Sequence, residues 1–113
     1  MILQNIHPFA PAIHDAIRGR FRLTLEYDGG QRRIEPHVLG LSKSGRLLLR
    51  AWQVEGFSKS GEGPGWRLFD VDEIGEIKPT RERFPLNRPD YSPADPVMAE
   101  VYSSLPRQSR VAS

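Results

Sequence analysis

Apolar and polar residues alternate most cleanly from Phe21 to Tyr27. There Phe21, Leu23, Leu25 and Tyr27 interleave with Arg22, Thr24 and Glu26, the period of a half-buried strand. Asp28-Gly29-Gly30 comes next, and glycine at such a step supplies the positive φ a tight hairpin requires. A second strand is predicted from Gln31 to Leu41, with its phase broken: Ile34, Pro36 and Val38 share one face while Leu39 and Leu41 are apolar on the other. A bend or bulge between Pro36 and Gly40 reconciles the two halves, because proline cannot donate to a ladder and glycine tolerates the kink. Ser42 to Gly45 reads as a turn, Arg46 to Val54 as a third strand, Trp66 to Asp72 as a fourth and Glu76 to Pro79 as a short fifth, with Asp72 to Gly75 a single helical turn between the last two.

The flanks carry helical spacing. Between Asn5 and Gly19, Ile13, Ala16 and Ile17 fall at i, i+3 and i+4, Pro11 suits a first turn and Gly19 a stop. Near the other end, Val97, Val101 and Leu105 fall at i, i+4 and i+8 behind Asp95 and Pro96, which predicts a last helix with Asp95 as its N-cap. Five short, bent strands behind one helix predict a mainly β fold with flanking helices, a small SH3-like or Sm-like five-stranded barrel, with an open α+β sandwich as the alternative. Residues 1–105 read as one domain, with a barrel core over about 20–80 and a proline-rich extension over 81–105. Residues 106–113 read as a flexible tail.

Composition narrows the function. The chain has 113 residues, enough for one core. No cysteine is present, which excludes disulfides, thiolate zinc sites and cysteine nucleophiles. The formal charge is only +2, yet of 16 basic residues just Lys43, Lys59 and Lys78 are lysine. Arginine is the planar, bidentate partner for phosphate and carboxylate, although a compositional bias toward arginine codons gives the same count. The N-terminal stretch lacks a basic start and a long apolar run, and no segment approaches the roughly 20 apolar residues of a membrane helix. A cytoplasmic protein without a membrane partner is expected.

Candidate chemistry lies in the strands. His7, His14 and His37 are the only histidines, and no metal-ligand spacing links them; Glu35 and His37 could supply two ligands at most. Asp70 and Asp72 share a strand face, as a solvent-facing pair more readily than as a general acid and base. No nucleophile motif or phosphate-cradling loop is present, and neither catalysis, a metal nor a cofactor is expected. Binding is better equipped. Arg50 shares a face with Leu48 and Trp52, and Arg67 alternates in register with Phe69, so arginines stand beside aromatic groups suited to stacking on a base and holding a phosphate. The same arginines also read as strand-face residues paired with Glu26 or Glu35. Arg33, Glu35, His37, Arg50, Trp52 and Arg67 form the candidate ligand-binding set.

The segment IEPHVLGLSKSGRLLLRAWQVEG, followed by GWRLFDVDEI and ERF, resembles a WYL domain over roughly residues 13–84. The eponymous Trp-Tyr-Leu step is replaced by Leu47-Leu48-Leu49. A closer likeness is to small stand-alone bacterial proteins that share the EPH step, LLRA before an aromatic and Gln, GWxLF, and a tail of the form FPxxRPxY, here Phe84, Pro85, Arg88, Pro89 and Tyr91. The resemblance implies an Sm-like barrel acting as a ligand-sensing or regulatory module, with a nucleotide or single-stranded nucleic acid as ligand. In WYL regulators such a domain comes after a DNA-binding domain, for which this chain has no room. A protein partner supplying an effector or DNA-binding function is therefore expected, and self-association stands beside it. Acidic Asp70 and Glu73 depart from the basic residues often found in that strand of the family and would repel a phosphate there, which leaves three alternatives: a binding surface lost, moved to Arg33, Arg50 and Arg67, or turned to another ligand. The alternative is a protein-protein interaction module without a small ligand, resting on apolar groups such as Phe57 and Trp66.

Overall fold

A computed structural model of the chain describes residues 2–108. After a 3-10 turn at Leu3–Asn5, helix α1 spans Ala10–Gly19. Ala10, Ile13, Ala16 and Ile17 form its buried stripe. Arg20 caps it in the left-handed conformation at φ 59°, its amide donating to the Ala16 and Ile17 carbonyls. Gly19, the expected stop, is the last helical residue.

Six strands follow among the described residues: β1 Phe21–Tyr27, β2 Gly30–Leu41, β3 Leu47–Gly56, β4 Gly65–Asp70, β5 Glu76–Arg83 and β6 Glu100–Ser104. All pairings are antiparallel. The main path runs β4-β3-β2-β1-β5, and β6 joins β2. The β1–β2 turn places Asp28 at φ 52° and Gly29 at φ 81°, the paired positive values of a tight hairpin. Among the described residues the sheet is open, because β4 and β5, the ends of the main path, do not pair with each other. The mainly β fold expected from the sequence is present, as a six-stranded antiparallel sheet with one helix, while the five-stranded barrel is not confirmed, since the sheet does not close. The 3-10 turn Val71–Glu73 leads from β4 toward β5, with Asp70 capping it by accepting from the Asp72 amide.

Strand β2 organises the other strands. One of its edges pairs with β3 along nearly its whole length. The other pairs with β1 through residues 30–34 and with β6 through residues 38–41. The change of partner occurs at Pro36, where the β2–β3 register also shifts between Pro36 and Val38. Proline has no amide to donate, so this is where the ladder can break at least cost. The expected bend is therefore present and serves to admit a sixth strand.

That strand overturns the predicted C-terminal helix. Asp95 does cap, accepting from the Val97 amide, but the cap leads into a single turn, closed by the Met98 amide on the Asp95 carbonyl. The chain then extends. Ser103 and Leu105 are buried and Val101 is exposed, whereas a helix would have placed Val97, Val101 and Leu105 on one buried stripe. Sheet pairing with β2, some 60 residues earlier, outweighs a weak local helical pattern.

The core lies between α1 and the sheet. Leu23, Leu25, Ile34, Leu39, Leu49, Ala51, Phe69, Val71, Phe84 and Leu105 fill it with the helix stripe. In β3 burial alternates strictly from Leu47 to Val54, so that Leu48, Arg50 and Trp52 sit on the outer face, as the sequence period requires. No helix among the described residues is long and apolar enough to cross a membrane.

Candidate ligand-binding face

Across three strands, Glu35 stands opposite Trp52, and Trp52 opposite Trp66. Paired residues of an antiparallel sheet project to the same side, so these groups share one face. Glu35 and His37 are both fully buried there. A segment of the extension, residues 84–95, lies over them as a strap.

The strap is anchored along its length. The Phe84 amide donates to the Arg20 carbonyl at 3.0 Å, and Arg20 Nε and Nη2 return bonds to the Phe84 carbonyl and to Asn87. Glu35 is the central anchor. Its Oε1 accepts from Arg88 Nε at 2.6 Å, and its Oε2 accepts from Arg88 Nη2 at 3.1 Å and from Arg22 Nε at 2.9 Å. The bond to Glu35 raises the Arg88 pKa despite its partial burial. The Arg88 guanidinium also sits 5.1 Å over the Trp52 ring. A buried carboxylate bound by two arginine forks has little capacity left for a ligand.

His37 is used as fully. Its Nδ1 lies 2.8 Å from the Glu35 carbonyl oxygen, which can only accept, and its Nε2 lies 3.2 Å from the Arg88 amide, which can only donate. Those partners fix the neutral tautomer with the proton on Nδ1. Burial lowers the His37 pKa to about 4, against a smaller upward pull from Glu35. Trp66, Phe84 and Tyr91 surround the ring, with centroids 4.8, 5.6 and 5.0 Å away. The strap continues with the Pro89 carbonyl accepting from Trp66 Nε1 and with Tyr91 Oη donating to the Leu105 carbonyl at 2.6 Å. Burial pushes the Tyr91 hydroxyl up to about 12.

Arg50 meets the far end of the strap. Its Nε donates to Asp95 Oδ2 at 2.8 Å and its Nη2 approaches Oδ1 at 3.4 Å. The partner is therefore Asp95, and not Glu26 or Glu35 as the strand spacing suggests. Burial would raise the Asp95 carboxyl, but the Arg50 fork and the Val97 amide outweigh it and hold the group below its usual range. A cleft of about 280 Å³ opens beside this pair, lined by Arg50, Trp66, Asp90, Tyr91, Ser92 and Asp95 among others.

The six candidate residues of the sequence thus divide. Glu35, His37, Arg50 and Trp52 meet on this face. Arg33 lies two residues before Glu35 on the same side of β2 but does not line the cleft; it pairs with Glu55 at 2.6 Å and is 40% exposed. Arg67 comes directly after Trp66 in β4 and so projects to the opposite side, where it binds the carbonyls of Gly63 and Trp66. Arg88, Tyr91, Trp66 and Asp95 complete the site from outside the candidate set. The FPxxRPxY tail is the signal for Arg88 and Tyr91, since an arginine between prolines facing an EPH step invites an ion pair, whereas Trp66 belongs to the GWxLF step and Asp95 lies beyond the tail. Asp70 bonds Arg46, and Asp72 faces His7 at 3.3 Å, so the two carboxylates do not act as a pair. His14 bonds Ser103. Among the described residues no group of three His, Asp or Glu side chains is placed to hold a metal ion.

Comparison with known proteins adds nothing to this geometry: no family model, curated protein or solved structure matches the chain.

Proposed function

We propose that the protein is a non-enzymatic, WYL-like sensing or regulatory module that takes a base-bearing anion, a nucleotide or a short single strand of nucleic acid, on the face of Trp52, Trp66 and Tyr91. One observation carries the reading. The Trp66 ring stands 5.6 Å from Trp52 and stacks at 26° and 6.3 Å on Tyr91, with Arg50 lining the cleft beside them and Arg88 over Trp52. An aromatic platform edged by guanidinium groups is the equipment for stacking a base and neutralising its phosphate, and stacking contributes about 1–3 kcal/mol per base. Asp95 holds Arg50 until a phosphate competes for the fork. Glu35 and His37 position this platform through the strap and do not themselves meet the ligand.

The Sm-like reading of the fold belongs to the same proposal. A helix before β1, the order β4-β3-β2-β1-β5 and a 3-10 turn between β4 and β5 support it. An effector or DNA-binding partner would then receive the signal. The protein-interaction alternative is favoured by one feature, the edge strand β6, which exposes Val101 and pairs on one side with β2.

Trp52 and Trp66 are the only tryptophans and both belong to the platform. Intrinsic fluorescence therefore tests the proposal directly. Titration with a mixed-sequence oligodeoxynucleotide and with a nucleoside monophosphate at low salt is expected to quench emission saturably. The affinity for the oligonucleotide should fall steeply at moderate salt through counterion release. No quenching at low salt, together with capture of a protein partner in a salt-insensitive complex, would favour the interaction module instead.

A further inference from the structure

The opposite side of β3 and β4 carries a second cluster of basic groups, built around the long loop between them. Gly56 opens the loop at φ 115°, where an added Cβ would run into the backbone of Gln31 and Arg32. Gln53 fixes its base, donating to the Gly56 and Phe57 carbonyls. The Gly61 amide closes a turn on the Ser58 carbonyl, and Arg67 reaches back to the Gly63 carbonyl at 2.5 Å. The loop thereby forms one wall of a cleft of about 320 Å³ lined by Asp28, Arg32, Ser58, Lys59, Ser60, Glu62 and Arg67.

Arg32 is the unusual member. It is only 5% exposed, and its guanidinium lies 5.3 to 5.6 Å from the centres of three rings, Tyr27, Phe57 and Phe69. Its polar contacts are few and long: 3.3 Å to Gln53 Oε1, 3.5 Å to the Tyr27 carbonyl and 3.7 Å to Asp28. Its Nε has no partner among the described residues. Burial lowers the Arg32 pKa; Asp28 opposes that shift and Arg67 reinforces it. A guanidinium buried among rings is normally met by a well-placed carboxylate, because an unanswered buried charge is costly. Here the nearest carboxylate is loosely placed and 45% exposed.

We propose that this cleft binds a phosphate group, with Arg32 at its floor and Lys59, Arg67 and the Ser58 and Ser60 hydroxyls on its walls. Three cations against Asp28 and Glu62 leave a net charge of +1 in the cleft. Glu62 is mostly exposed; its carboxylate touches Arg67 only at 3.9 Å and accepts from Ser60 Oγ at 3.2 Å, a surface bond that an entering anion can replace. A tetrahedral oxyanion offers enough oxygens to use two forks, an ammonium and the hydroxyls together, which a carboxylate cannot. The site is separate from the aromatic platform and does not depend on it.

Calorimetric titration of the whole chain with inorganic phosphate at constant, low chloride tests the site. Saturable binding is expected. Lys59→Ala and Arg67→Ala should each weaken it about tenfold or more, the loss of one charge-assisted contact. Lys43→Ala removes the same charge from a distant turn and should leave it unchanged, and Glu62→Gln should strengthen it. Melting temperature separates a lost contact from a lost fold; Lys59, on the exposed loop, is the variant expected to keep the fold intact. Methyl phosphate and dimethyl phosphate distinguish the source. Preference for the monoester assigns a phosphorylated small molecule, and equal binding assigns a nucleic-acid backbone. Failure of all three probes to bind, or equal binding by the Lys59 and Lys43 variants, would overturn the proposal.

Discussion

Arg88 and Arg32 both tuck a guanidinium against aromatic rings, and their surroundings differ in one respect. Arg88 gives two bonds to a buried carboxylate, which Arg22 also holds, and its backbone amide is taken up by His37. Arg32 is more deeply buried, has no carboxylate within hydrogen-bonding distance and keeps an unpartnered Nε among the described residues. Their pKa shifts run in opposite directions, up for Arg88 through its bond to Glu35 and down for Arg32 through burial. A buried charge whose partners are complete fastens the fold, and here it fastens a strap to a sheet. A buried charge with partners missing is stabilised by whatever supplies them. The residues that look most chemical in the sequence, Glu35 and His37, therefore serve architecture, while a less conspicuous arginine marks an open position.

The comparison is broken most severely at Glu35. Glu35→Gln leaves two arginine forks without their shared anion and should cost about 3–5 kcal/mol, as for a broken buried ion pair. Denaturant unfolding reads the loss, and the Trp52 and Trp66 emission should shift because the strap releases.

His37 comes next, through pH. The unfolded imidazole takes up a proton near pH 6.5 and the folded one only at about 4. Between those values the unfolded state binds the extra proton. Stability should therefore fall as pH drops from about 6.5 and level out below about 4, losing on the order of 3 kcal/mol. His37→Gln, which cannot titrate, should flatten this window and leave the acid loss from Asp95, which lies lower still because that carboxyl is held below its usual range.

Tyr91→Phe removes one donor to the Leu105 carbonyl and should cost about 1 kcal/mol by thermal unfolding. The smallest effect belongs to the other region. Lys59→Ala should change stability by no more than about 0.5 kcal/mol, since the residue lies on the loop and lines the cleft with no hydrogen-bond or ion-pair partner among the described residues.

How much of this is legible in the chain depends on range. Strand β1, its two-residue turn and the alternation of β3 are local, and the structure reproduces them. The bend at Pro36 is visible because proline has a single mechanism for breaking a ladder. Its purpose is not, because β6 lies about 60 residues away and has no marker of its own. The helix expected over 97–105 fails for that reason. The partner of Arg50 is likewise hidden: Glu26 and Glu35 are near in strand spacing, whereas Asp95 arrives with the strap. Arg32 escapes notice because alternation says that a residue faces inward but not what it lacks when it gets there. Of the tail expected from residue 106, Pro106 and Gln108 bond Asn87, and Gln108 also bonds the Pro85 carbonyl, while residues 109–113 lie outside the described residues.

The contrast between the two arginines is tested most directly by the arginine Nε–Hε signals of isotopically labelled protein, followed by NMR as inorganic phosphate is added. The signals of Arg22 and Arg88, already bonded to Glu35, should stay where they are, and those of Arg32 and Arg67 should move together and saturate. Movement of Arg88 with Arg32 unaffected would show that the strap region is the open one and would contradict the account, as would a titration in which no arginine signal moves.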